Sequence, residues 1–228
     1  MDSTRNSPNV VELRGSSRIV SDFFGKLQDP MGPFWIQSIT DFFSEYSIHS
    51  ILYQRGIYPA EDFQVRKKYG LNMMVSINEE VNAYVKKIMS QLQKWIKSGG
   101  LSKLVIVISS KDSGKVVERW QFDVKIAEKQ ETSHDQEEPR PKLKEEVQRE
   151  IQTVIRQITA AVTFLPQLDN GDHSFNVLVY TDGESVVPNE WIDSDPKDVE
   201  GDNVENVNFR NFSTDKHKVG ALVSYSLT

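Results

Sequence analysis

Asn78–Ile126 reads NEEVNAYVKKIMSQLQKWIKSGGLSKLVIVISSKDSGKVVERWQFDVKI, and its two periods decide the fold class. From Asn78 to about Ser98 the apolar positions are Val81, Val85, Ile88, Leu92, Trp95 and Ile96. That spacing is near 3.6 and predicts an amphipathic helix, which Gly99-Gly100 ends. Lys103–Ser109 (KLVIVIS) is an unbroken apolar run, short enough for a strand buried on both faces. KDSG then turns the chain. Val117–Ile126 alternates, with Trp120, Phe122, Val124 and Ile126 on one side and Arg119, Gln121, Asp123 and Lys125 on the other. A turn between an apolar run and a period-two run predicts a β-hairpin.

Working outward, Glu145–Phe164 predicts a further helix, with Val147, Ile151, Val154, Ile155, Ile158 and Val162 as its buried stripe. Arg149, Gln152, Thr153, Arg156 and Gln157 lie on the other face, and Pro166 ends the element. Ser174–Tyr180 (SFNVLVY) reads as a strand. Val186–Thr228 reads as two or three more, the last carrying Val219, Ala221, Val223, Tyr225 and Leu227 in alternation. Residues 1–14 are polar and read as a flexible N-terminal arm. Residues 127–144 are charged, with Pro139 and Pro141, and read as a mobile loop. The pattern predicts an α+β fold, with helices packed on one face of an antiparallel sheet.

Composition narrows the function classes. The 228 residues carry 27 Lys+Arg against 33 Asp+Glu, a formal charge of -6, which opposes a general nucleic-acid coat. With 38% hydrophobic and 10% aromatic residues the chain can build a core. It has no cysteine, so disulfides, thiolate zinc sites and cysteine nucleophiles are all absent. No stretch resembles a signal peptide, and no run of about 18 apolar residues is present. The chain reads as soluble and intracellular, without a membrane partner.

Catalytic motifs are missing. There is no G-x-G-x-x-G, Walker A, G-x-S-x-G or H-E-x-x-H pattern. His49, His134, His173 and His217 are scattered without a second ligand at metal spacing, His49 in a helical stretch and His134 and His173 in loop-like sequence. Asp193-Ser194-Asp195 reads as a turn, and Val65–Tyr69 (VRKKY) as an exposed helix end. No metal and no cofactor is expected. Two other classes stay open: an enzyme whose site assembles only in three dimensions, and a nucleic-acid binder using Arg66, Lys67 and Lys68.

Five stretches carry more than composition. They are Ser50–Phe63 (SILYQRGIYPAEDF), Val116–Phe122 (VVERWQF), Thr153–Leu168 (TVIRQITAAVTFLPQL), Phe175–Asp182 (FNVLVYTD) and Ser213–Tyr225 (STDKHKVGALVSY). In this order and at these distances, the chain resembles the HORMA-domain spindle assembly checkpoint family, of the mitotic arrest deficient two type, in its fungal version. The match runs from Leu13 to Tyr225. More distant HORMA adaptors, serving polymerase zeta or the meiotic axis, fit less well and form the alternative.

The resemblance implies a conformational switch. In the family's open form the C-terminal segment pairs at one sheet edge; in the closed form it crosses over and re-pairs as a safety belt around a partner peptide. Here the belt would be residues 186–228. The implied partners are mitotic arrest deficient protein one, which is the kinetochore receptor, and the WD40-repeat activator of the anaphase-promoting complex. An open–closed self-dimer and the mitotic checkpoint complex are implied as well. Arg156 and Gln157 match the family's dimerisation pair, and Arg55 and Glu118 match two further polar positions of that surface. Phe164 matches a core position beneath the switch, and Trp95 a core residue sensitive to conformer. Leu13 matches an arm residue that helps choose the topology, and Trp191 begins the belt. His217, Val219, Val223 and Tyr225 lie on the belt's last strand. The implied location is the nucleus, the kinetochore and the interphase nuclear envelope or pores, with some in the cytoplasm.

One departure is large. Gly15–Phe24 (GSSRIVSDFF) and Glu45–Gly56 (EYSIHSILYQRG) match the family's uninterrupted first helix, yet Gly25–Ser44 (GKLQDPMGPFWIQSITDFFS) separates them. Two glycines and two prolines within Gly25–Pro33 would break a helix. Gly-Lys-Leu, Thr-Asp and Phe-Phe-Ser can encode a donor, a branch point and an acceptor. The segment therefore reads as a retained intron translated in frame, with a lineage-specific loop as the alternative.

Overall fold

The structure is a computed structural model that describes residues 8–13, 39, 47–68, 70–127, 142–168 and 172–227. In chain order the elements are β1 (Asn9–Leu13), α1 (His49–Gln54), β2 (Phe63–Lys68), β3 (Leu71–Ser76) and α2 (Glu79–Ser98). Then follow β4 (Leu101–Ser110), β5 (Val116–Ile126), α3 (Lys144–Ala160) and β6 (His173–Thr181). The last are β7 (Trp191–Asp193), β8 (Val204–Asn208), β9 (Phe212–Ser213) and β10 (His217–Ser226).

Asn78 starts α2 as its sequence suggests. Its side chain accepts hydrogen bonds from the N–H groups of Glu80 at 3.0 Å and Val81 at 3.2 Å, a cap worth about 1 kcal/mol. Gly99 ends the helix at φ 77°, the left-handed conformation that favours glycine. The predicted stripe is the buried one: Val81, Val85, Ile88, Leu92, Trp95 and Ile96 are all in the core. In α3 the predicted stripe is buried through Ile158, and the helix passes into a short 3-10 turn at Ala161–Thr163. Val162, the last predicted member, is exposed.

The strands form an antiparallel sheet in the order β7-β1-β6-β4-β5-β10-β8, with β9 also paired to β10; β2 and β3 form a separate hairpin. Period two sorts the residues between the faces. Leu104, Ile106, Trp120, Phe122, Val177, Val179, Val219 and Val223 join the main core with the helices. Val105, Val107, Leu178 and Tyr180 form a smaller cluster on the opposite face. Helices on one face of an antiparallel sheet are the predicted α+β architecture.

Four expectations change. Residues 9–13 are not a flexible arm; they form β1, because Val11 and Leu13 supply an inward apolar pair at strand spacing. Arg66, Lys67 and Lys68 lie in β2 and not at a helix end, since their backbone pairs with Met73, Asn72 and Leu71. His173 begins β6 instead of lying in a loop. The tail has four strands, where two or three were expected, because strands as short as β7 and β9 leave no periodic signal. The insert Gly25–Ser44, apart from Ile39, lies outside the described residues, and so do residues 128–141 of the predicted loop and His134. Ile39 is helical and fully buried in the main core.

Candidate functional site

The site is a strand-shaped slot at one end of the sheet. Its floor is β6 and its outer wall is β7, and β1 lies between them. On the inner side Val10 pairs with Tyr180, Val11 with Val179 and Glu12 with Leu178. On the outer side Val11 pairs with Asp193, Glu12 with Ile192 and Leu13 with Trp191. Alternation turns Val11 and Leu13 toward the helices, where both are buried. Val10 packs against the opposite cluster.

Polar groups mark the register. Tyr84, from α2, donates through its hydroxyl to Asn176 Oδ1 at 3.1 Å and accepts from the Val177 N–H at 3.3 Å. Burial pushes the Tyr84 hydroxyl well above its ordinary range, so it stays a protonated donor. Asn176 Nδ2 in turn donates to Glu12 Oε2.

The wall is held by tryptophans. Trp95 Nε1 donates to the Val186 carbonyl at 3.1 Å, and the Trp95 and Trp191 rings meet edge to face at 5.1 Å. Beyond β7 the Ser194 N–H donates to the Val10 carbonyl at 2.9 Å. The chain then crosses the sheet face opposite the helices. There Arg119 Nε lies 3.3 Å from the Pro196 carbonyl and 3.3 Å from Asp198 Oδ1, and Arg119 Nη2 donates to Tyr180 Oη at 3.0 Å. Lys197 takes a positive φ of 52° within this crossing.

On the far edge the segment is anchored three times. β10 pairs with β5 from His217 opposite Ile126 to Tyr225 opposite Glu118. The Arg210 N–H donates to Gln157 Oε1 at 2.8 Å. Lys142 Nζ bridges Glu150 at 2.5 Å and Ser213 Oγ at 2.8 Å, and the Ser213 N–H donates to Glu150 Oε2 at 2.9 Å. A segment starting beyond one edge of the sheet thus crosses a face and ends at the other edge. It encloses a β-strand on the way.

The sequence pattern of the HORMA domain matches residues 37–217. The chain is 47% identical over 213 residues to the mitotic spindle checkpoint component mad2 of Schizosaccharomyces pombe, covering 93% of this chain and 93% of that protein. A solved chain from the mitotic checkpoint complex aligns with TM-score 0.74 and 49% identity, over 84% of this chain and 98% of that one. This chain belongs to the HORMA family of spindle checkpoint proteins. Caenorhabditis elegans HTP-2, solved bound to a HIM-3 closure motif, shares the HORMA fold at TM-score 0.64 and 16% identity, over 85% of this chain and 90% of that one.

HORMA proteins of this kind are non-catalytic adaptors. The chain after β7 thus crosses the sheet, and its last strand pairs with β5, on the opposite side of the sheet from β7. Of the expected switch and belt residues, Leu13, Trp95, Trp191, His217, Val219, Val223 and Tyr225 are all buried. Burial, and next the charge of Lys216, hold the His217 imidazole below its ordinary range.

Three expected positions differ. Arg55 and Glu118 do not present a surface: they are 6% and 1% exposed and form a buried ion pair. Arg55 Nε donates to both Glu118 oxygens at 2.8 and 3.0 Å, its Nη2 reaches the Pro166 carbonyl, and Trp120 Nε1 donates to Glu118 Oε2 at 3.2 Å. Burial pushes the Glu118 carboxyl up while the Arg55 charge pulls it back down. Phe164 is no core residue. It is 42% exposed and leans on Tyr225 at 6.3 Å, so it braces β10 from outside. Gln157 is half-buried against Arg210, whereas Arg156 beside it is exposed, as its helix phase predicts.

Arg119, Tyr180, Asp198, Glu12 and Asn176 were not picked out from the sequence. Period two put Arg119 on the polar side of its strand, and nothing local shows that a segment 77 residues away covers that side. A basic cavity of about 450 Å³ beside the β2–β3 hairpin is lined by His49, Arg66, Asn82 and Lys86 among others, with no carboxylate among the described residues that line it.

Proposed function

We propose that this chain is a spindle checkpoint adaptor that entraps short, extended peptide motifs between β6 and β7 and locks them with the belt. The observation that carries the reading is the double pairing of one strand inside that slot. Strand addition gives affinity through backbone hydrogen bonds, while the apolar floor and the Asn176 amide read alternate side chains. Because the belt passes over the bound strand, entry and exit require the belt to open, and exchange is slow.

The clients are the kinetochore receptor, mitotic arrest deficient protein one, and the WD40-repeat activator of the anaphase-promoting complex. Holding the activator in a mitotic checkpoint complex delays anaphase until chromosomes attach. Closed copies recruit open ones through the exposed face of α3 around Arg156. The working locations are the nucleus, the kinetochore and the interphase nuclear envelope or pores, with a cytoplasmic pool.

The test is binding of labelled peptides from the two clients to the full chain and to a chain ending before His217. The full chain should hold both, and the truncated chain neither, because β10 is what fastens the belt to β5. Equal affinity for both chains would overturn the belt as the lock. Recovery of DNA polymerase subunits from mitotic extract, without the activator, would favour the polymerase-adaptor alternative.

A further inference from the structure

The occupant of the slot is the chain's own N-terminal strand, and we propose that β1 is a tethered competitor that clients must displace. The inference rests on the slot reading above and adds a regulatory element to it. β1 meets every requirement of a bound peptide. It pairs on both sides, puts Val11 and Leu13 into the core, ties Glu12 to Asn176, and accepts a hydrogen bond from the belt at Val10.

Tethering makes this competition strong. A segment on the same chain acts at an effective concentration of roughly millimolar, whatever the protein concentration. An external peptide then binds only the fraction of molecules whose slot is empty, and its apparent affinity falls by that fraction. The arm also keeps the closed form dry and paired when no client is present, since an empty slot would leave the β6 edge unpaired.

The probe is a labelled synthetic peptide copying Ser7–Gly15 (SPNVVELRG). Val11→Asp in the full chain puts a charge at a position with no exposure and should expel β1. That variant should bind the probe at least tenfold more tightly than wild type. Should Val11→Asp fail to fold, a second variant decides. The chain has no cysteine, so Glu12→Cys with Ile192→Cys, directly opposite in register, can lock β1 to β7. The oxidised form should bind the probe at least tenfold more weakly than the reduced form. Equal binding by both redox forms would overturn the competitor role. Client peptides that bind oxidised and reduced chains alike would also overturn it while leaving the adaptor function intact. Client peptides that bind no form at all, while the probe stays redox-gated, would instead remove the proposed function.

Discussion

Trp95 of α2 and Trp191 of β7 meet edge to face, with centroids 5.1 Å apart and planes at 71°, although 96 positions separate them in the chain. One ring belongs to the helical core and the other to the edge strand β7, so their contact holds that edge strand against α2. The Trp95 N–H, donated to the Val186 carbonyl, fixes the stretch just before it.

Trp191→Ala should therefore detach β7 preferentially. Removing a buried tryptophan costs about 3–5 kcal/mol where the site is fully packed. Here much of that loss should appear as local opening, since β7 is three residues at a sheet edge. Hydrogen exchange at Trp191–Asp193 and in β1 should accelerate far more than in β4 or β5. Trp191→Phe keeps an edge-to-face pair and should lose at most about 1.5 kcal/mol. Uniform acceleration across the sheet would contradict the assignment.

Arg55→Ala should be among the most damaging polar substitutions. It strands the Glu118 carboxylate in the core and removes the donor to the Pro166 carbonyl, an expected loss of about 3–5 kcal/mol by urea denaturation. Arg55→Met with Glu118→Leu should recover most of that loss, because no charge is left buried. Recovery will be incomplete, since Trp120 Nε1 loses its acceptor. Strict additivity of the two single changes would mean that the pair is not coupled.

His217 should make β10 sensitive to acid. Its folded-state value lies below the unfolded one, so between the two the unfolded chain binds more protons. Stability should be full above about pH 6.5, the ordinary histidine value, and decline as pH falls through the depressed folded value. His217→Gln should flatten that part of the profile relative to wild type. Parallel urea midpoints for the two chains between about pH 5 and 7.5 would remove His217 as the sensor.

Arg156→Ala should leave the fold unchanged within about 0.5 kcal/mol, because the side chain is exposed on α3. Self-association of open with closed copies should weaken strongly. Gel filtration and sedimentation velocity measure it directly. Dimers of undiminished strength would take Arg156 out of the interface.

The helices and central strands were legible because their signals are local. A 3.6-residue stripe from Val81 to Ile96 or a two-residue alternation from Trp120 to Val124 states which side faces a core, although Ile126, which continues the alternation, is exposed. The helix phase likewise left Arg156 exposed. Arg55 and Glu118 were misplaced for a related reason. A charged side chain reads as surface in sequence, and burial becomes affordable only when the opposite charge arrives from another element, 63 residues away in this case.

The sequence by itself determined the fold class, the buried faces, the family and the alternating C-terminal strand. It left open where that strand docks, because alternation offers an apolar face to any free edge. The tertiary structure decided the edge: β10 lies on β5, with Tyr225 opposite Glu118 and Phe164 bracing it. It also decided what lies in the slot, since NVVEL alone is only a short apolar alternation. Pairing energy comes from backbone groups that every residue carries, so the choice of neighbour is made by which edges the rest of the fold leaves open. Here the edge left open beyond β6 is filled by β1 and closed by β7.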